Sequence, residues 1–270
     1  MKELITRTIA GIVFAVVVVV GVFLSPWTCA ALMLFVVGLG TFEMYRLHGM
    51  AEGASLFFGE AFSIGVFLLA ALTALHVWPR KWLAEELFFL LIPFLNALFS
   101  TKYDHKSIFS AAYASCAFLS LPASLLLFFY RDDLFGAMAG PWLVMMVFGL
   151  LWVNDMFAYL TGKLLGKHKL FERISPGKTI EGSLGGLVFT LTAAVLFCHF
   201  SKWMSMSAAI GMAAIAVLFG TLGDLSESML KRQAGVKDSG RLIPGHGGIL
   251  DRFDSVLFSV PFIFVYLLLL

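Results

Sequence analysis

Blocks of apolar residues, each close to the roughly 20 residues that cross a bilayer as a helix, alternate with short polar clusters along the whole chain. They predict helices over 8–24, 28–45, 56–78, 83–100, 108–130, 140–162, 181–200, 204–230 and 255–270. The expected fold class is therefore all-α, a polytopic integral membrane protein with about nine transmembrane helices. The first block follows Lys2 and Arg7 and no small-x-small cleavage site comes after it, so it reads as a retained helix rather than a signal peptide. Cytoplasmic loops are enriched in Lys and Arg. With the N-terminus in the cytoplasm, only Arg80, Lys81, Arg131 and Lys202 of the 19 basic residues fall on the opposite side. That bias predicts a cytoplasmic N-terminus.

Composition agrees with the pattern. The chain is 60% apolar and 13% charged, against roughly 45–50% and about 25% in soluble domains. A water-soluble globule is excluded, and so is disorder, which needs low hydrophobicity and high net charge. A net charge of +2 gives no reason to expect nucleic acid as a partner. Cys29, Cys116 and Cys198 all lie in apolar stretches and read as membrane-buried thiols. Loops before about residue 150 are short and chemically plain. The chain is accordingly divided into an N-terminal scaffold, 1–135, and a catalytic region, 136–270, with polar cytoplasmic loops at 163–180 and 231–254.

Ionisable groups inside a bilayer are costly and mark function. Asp155 sits in an apolar run beside Asn154, Ala158, Tyr159 and Gly162. Asp224, Glu227, Ser228 and Lys231 fall at i, i+3, i+4 and i+7, one face of a helix; its structural alternative is a paired stripe lining a water cavity. Asp251 and Asp254 stand one turn apart at a helix N-terminus, where the macrodipole alone favours acids. Carboxylates so grouped also suit a hard cation such as Mg²⁺ together with waters and phosphates. Gly247 and Gly248 add backbone N–H groups able to approach an anion. Lys231, Arg232, Lys237, Arg241, His246 and Arg252 surround them, and Ser175-Pro176-Gly177-Lys178-Thr179 supplies a second small-residue loop. It is not a P-loop, because GxxxxGK[ST] is absent. Metal-binding acids and a crowd of cations at one interface suit phosphate chemistry between a soluble nucleotide and a lipid.

The pattern Ser228-x₂-Lys231-Arg232-x₄-Lys237-Asp238-x-Gly240-x₂-Ile243-Pro244-x-His246-Gly247-Gly248-Ile249-x-Asp251-Arg252-Phe253-Asp254 resembles the motif of phosphatidate cytidylyltransferases, the CDP-diacylglycerol synthases. Asn154-Asp155…Ala158-Tyr159…Gly162 and Ser175-Pro176-x-Lys178-Thr179-x-Glu181-Gly182 resemble weaker features of the same family. The likeness covers about 150–254 in detail and only hydropathy before that. It implies that CTP and phosphatidic acid give CDP-diacylglycerol and pyrophosphate with Mg²⁺, in a two-metal site, in a dimeric inner-membrane enzyme whose active site faces the cytoplasm. Asp224 and Asp251 are then the first metal ligands, with Asp254 and Asp155 next and Ser228 beside them. Lys231, Arg232, Lys237 and Arg252 would stabilise pyrophosphate, Asp238 and His246 would orient cations or bind directly, and Ser175, Lys178, Thr179, Gly247 and Gly248 would contact the nucleotide. Gly182 and Gly186 fit a small-xxx-small packing face.

Three other readings remain at this stage. A relative acting on another lipid phosphate would keep the same head-group site. A cation-coupled transporter would use the acids for passage, but no internal repeat supports it. A CDP-alcohol phosphotransferase needs Gly where Ser255 follows Asp254.

Overall fold

The computed structural model describes residues 2–136, 140–201, 204–240 and 247–270, with side chains from Thr8 onward. Helix α1 (Lys2–Leu24) and α2 (Pro26–Leu47) are separated by a single residue. Ser25 makes that break: its hydroxyl accepts from the Thr28 N–H while Thr28 Oγ1 accepts from the Ser25 N–H, and Pro26 opens the new helix. Helix α3 is Ala54–Ala74. The next two spans are composite. α4 (Arg80–Phe99) begins as a 3₁₀ turn and is interrupted near Leu90. α5 (His105–Phe128) widens into a π turn over Cys116–Ser120 just before Pro122. Proline has no N–H to donate and its ring crowds the preceding turn, so the wider turn carries the helix past it.

Helix α6 (Gly140–Leu165) leads into two short strands, β1 (Lys169–Phe171) and β2 (Ser175–Thr179), which pair antiparallel with Lys169 opposite Thr179 and Phe171 opposite Ser175. The sequence pattern predicted only a loop here. Helices α7 (Ile180–Ser201), α8 (Met206–Gln233) and α9 (Leu250–Leu268) follow. Among the described residues, seven helical segments, α2 to α8, are long and apolar enough to cross a membrane. α1 has a shorter apolar stretch, Thr8–Leu24, and α9 carries Asp251, Arg252 and Asp254 in its first turns. The protein is an all-α polytopic membrane protein, with one small hairpin among the described residues.

Two units emerge, and their boundary differs from a cut at 135. One holds Met1–Pro141 with Gln233–Phe253, the other Trp142–Arg232 with Asp254–Leu270. The loop following α8 therefore belongs with the N-terminal helices, for reasons given below. In the first unit the core gathers Tyr45, Phe62, Ile108 and Cys116 from α2, α3 and α5. In the second, Phe219 of α8 stacks on Phe262 of α9 and Phe157 of α6 on Phe189 of α7. The three cysteines are buried and free, as expected.

One clasp in the first unit is electrostatic. Arg131, 6% exposed, donates from Nη1 to the Thr73 carbonyl at 2.9 Å and from Nε and Nη2 to Asp133. Arg80 pairs with the same carboxylate. The Arg131 hydrogen bond, and then the two positive charges, hold the Asp133 carboxyl below its usual range. A depressed carboxylate contributes its stabilisation above its ordinary pKa and loses it as pH falls through the lowered one. The clasp therefore persists at neutral pH and loosens only in strong acid. Arg131→Met should lower stability by about 1.5–3 kcal/mol, the range for hydrogen bonds from a charged group. Thermal unfolding in detergent measures this, and an unchanged midpoint would contradict the assignment.

Candidate active site

In the second unit, small residues let α6, the hairpin and α7 close on one another. Thr179, 8% exposed, ends β2 and caps α7: its Oγ1 accepts from the Gly182 N–H at 3.1 Å. A Cβ on Gly182 would lie 2.7 Å from the Ala158 carbonyl oxygen and 3.1 Å from the Gly162 Cα, and one on Gly186 would lie 3.1 Å from the Ala158 Cβ. The small-residue face predicted for Gly182 and Gly186 is therefore a close approach to α6. Glu181 ties the base of the hairpin. Its carboxylate accepts from the Lys167 N–H at 3.0 Å, from the His168 N–H, and pairs with His168 Nδ1 at 2.6 Å.

These contacts frame a cavity of about 400 Å³. Its α6 wall presents Asn154, Asp155, Tyr159 and Lys163; the hairpin contributes Ser175, Lys178 and Thr179; α8 and α9 add Thr221, Asp224 and Ser255. Lys178 Nζ lies 2.5 Å from Asp224 Oδ2, and Ser228 Oγ donates to Asp224 Oδ1 at 3.3 Å. The Asp254 carboxylate feels those of Asp224 and Asp155 as like-charge neighbours and Lys231 as a counter-charge. It also accepts the Ser255 N–H at 2.6 Å. The predicted helical face on α8 splits in two: Asp224 is paired across to Lys178, while Lys231 is ion-paired to Glu227 one turn earlier, both buried. Glu227, on the same helical stripe as Asp224, is 1% exposed. Arg232 is exposed.

The motif loop lies in the first unit. Lys237 and Asp238 are exposed, and Ser239 and Gly240 are buried. Arg241 and His246 lie outside the described residues. Asp251 Oδ2 accepts from the Ser239 N–H at 2.9 Å, the Ser239 hydroxyl at 2.9 Å and the Gly248 N–H at 2.7 Å. Gly247 has φ +84° and packs against that carboxylate, a backbone shape only glycine adopts freely. Glu43 of α2 reaches the same loop, accepting from the Ile249 and Leu250 N–H groups at 3.1 and 2.9 Å.

Comparison with known proteins decides the family. A family model described as the cytidylyltransferase family matches residues 5–270. The chain belongs to the cytidylyltransferase family. Curated relatives named phosphatidate cytidylyltransferase come from Staphylococcus aureus, 49% identical over 126 residues, and Staphylococcus haemolyticus, 46% identical over 130 residues; each match covers 46% of this chain and 48% of the relative. The relative of that name from Haemophilus influenzae is 47% identical over 128 residues, 46% of this chain and 44% of its own. The chain thus spans about half the length of the curated relatives it matches.

The predicted site residues sit as follows. Gly248 donates its N–H to Asp251, and Glu43 accepts from the N–H groups of Ile249 and Leu250. The Thr179 hydroxyl oxygen caps α7 and the residue also lines the cavity. Lys231 is ion-paired to Glu227. Asp251 points its Oδ2 into its own loop, whereas Asp224, Asp254 and Asp155 are grouped in the second unit. Arg252 follows Asp251 on α9 and is half-buried.

Asp155 and Asp224 are the carboxylates that line the cavity. A hard cation such as Mg²⁺ takes oxygen donors, one or two protein carboxylates plus phosphates. Among the described residues, no three His, Cys, Asp or Glu side chains form a ready-made metal cage. Other ligands would come from substrate and water. Gly182→Ala should separate α6 from α7 at a cost of about 1–3 kcal/mol, the usual penalty for overpacking. Thermal unfolding in detergent reads it, and a neutral substitution would contradict the close approach.

Proposed function

We propose that this cytidylyltransferase moves the cytidylyl group of CTP onto phosphatidic acid, releasing pyrophosphate and leaving CDP-diacylglycerol. The observation that carries the reading is the cavity in which Lys178 and Asp224 meet, with Asp155 on its wall. At about 400 Å³ it falls within the roughly 300–1,000 Å³ of small-molecule sites. The relatives' names and the family match support the choice of substrates.

A phosphate monoester is already anionic, so it needs charge screening and alignment more than a base. Its oxygen attacks the α-phosphorus of CTP in line, the new P–O bond forms, and the bond to the bridging oxygen of the β-phosphate breaks. The electron pair leaves on pyrophosphate, so charge accumulates there. Lys178 at the rim, with Lys163, offsets it through a positioned ammonium rather than through proton transfer. Asp224 would exchange Lys178 for Mg²⁺, held with Asp254 and Asp155, which when bound supplies neutralisation of phosphate oxygens. Ser228 fixes the Asp224 carboxylate through Oδ1. Ser175 lines the cavity, which supports a nucleotide contact there. The family resemblance adds Lys237, Asp238, His246, Gly247, Asp251 and Arg252 to the same reaction. A second metal and a homodimer belong to this proposal through resemblance alone. The excess of basic residues on one side supports an active site facing the cytoplasm from the inner membrane.

Purified protein given CTP, phosphatidic acid and Mg²⁺ should release pyrophosphate only when all three are present. Release from CTP alone would replace the lipid acceptor with water. No release with any lipid phosphate tested would reject the transfer. Asp224→Asn should lower the rate by about 10²–10³-fold, as for loss of a preorganised electrostatic partner. Retention of most activity would remove Asp224 from the chemistry.

A further inference from the structure

Glu43 lies on α2, far in sequence from the motif and in a stretch whose neighbours are apolar. It is 5% exposed, so its charge must be met by the protein. Among the described residues, the donors that meet it come from the motif loop. Oε1 accepts the Ile249 N–H at 3.1 Å, and Oε2 accepts the Leu250 N–H at 2.9 Å and the Ser239 hydroxyl at 2.8 Å. One turn later on α2, Arg46 donates to the Ser239 carbonyl oxygen. Ser239 is fully buried and is also the residue that holds Asp251, through its N–H and through its hydroxyl, whose one proton is shared between the Glu43 and Asp251 carboxylates. The path from Glu43 to Asp251 is therefore one residue long.

Two glycines of the motif agree with this. A Cβ on Gly240 or on Gly248 would collide with the Glu43 carboxylate. Neither glycine has positive φ, so backbone conformation does not require them. Their small size is what admits Glu43.

We propose that Glu43 is a positioning residue for cytidylyl transfer: it anchors the start of α9 and Ser239, and through Ser239 fixes the orientation of the Asp251 carboxylate. The proposal rests on the reading that Asp251 serves this reaction. Glu43 touches no substrate in this account. It acts as the partners of metal-binding residues do, by fixing the group that does the work.

The test uses the full chain in detergent with Glu43→Ala, Glu43→Gln and Ser239→Ala. Loss of such a partner typically costs about 10–100-fold in activity or metal affinity. Glu43→Ala should lower kcat by that factor, raise the Mg²⁺ concentration for half-maximal rate, and leave KM for CTP within a few-fold. Glu43→Gln keeps the shape and one acceptor oxygen and should restore part of the loss. Ser239→Ala should reproduce the shift in Mg²⁺ dependence with Glu43 intact. Independently of activity, amide hydrogen exchange at Ile249 and Leu250 should quicken in both Glu43 variants. A fall in thermal stability with unchanged kcat and Mg²⁺ dependence would make Glu43 scaffold only and overturn the proposal. Unchanged exchange would do so as well. If Glu43→Ala does not fold, Glu43→Gln and Ser239→Ala carry the same comparison. Wild-type protein that releases no pyrophosphate would instead reject the reaction, while the exchange result would still report on the anchor.

Discussion

A carboxylate in an apolar layer has to find its partners inside the protein, and that requirement organises both units. Uncompensated burial of an ion costs several kcal/mol even after relaxation, so each acid fixes the backbone or the cation that satisfies it. Asp224 is met by Lys178, which is delivered by a hairpin. The hairpin in turn is held by the Thr179 cap and by Glu181 at its base. Glu43 is met by two helix-terminal N–H groups and Ser239, and that satisfaction draws the motif loop onto α2. The division of the chain into its two units follows from this second set of bonds more than from any linker.

Much of this was legible in the sequence. Apolar blocks near the length of a membrane crossing give the helices, and acids interrupting them, such as Asp155 and Asp224, pointed to the cavity. The family was readable because so many positions of the 228–254 pattern are fixed side chains with special chemistry. The hairpin was not readable, since three and five residues with Pro176 and Gly177 carry no alternating pattern. The breaks in α4 and α5 were hidden because continuous hydropathy does not reveal a π turn; Pro122 was the available signal. Glu43 was missed although the argument applied to Asp155 applies equally to it: an acid inside an apolar run needs a reason. Its reason lies nearly 200 residues away, and no local spacing reveals such a partner.

Gly248 and Thr179 share one structural setting. Both belong to loops rich in small residues and next to helix starts, the usual setting of anion sites. Here those N–H groups are answered from within, by Asp251, Glu43 and the Thr179 hydroxyl. Charged side chains around the cavity include Lys178, Lys163, Asp155 and Asp224. Pairing of Lys178 with Asp224 lowers the cost of holding those two charges beside the bilayer.

The central claim is that the lipid phosphate attacks the α-phosphorus of CTP in the Asp224 cavity. Partition of label from CTP tests it most directly. With α-labelled CTP and phosphatidic acid, the label should move into the lipid phase, and with γ-labelled CTP it should remain in water as pyrophosphate. Asp224→Asn should slow the first transfer by about 10²–10³-fold. γ-Label in the lipid, or α-label confined to water as free nucleotide, would contradict the account.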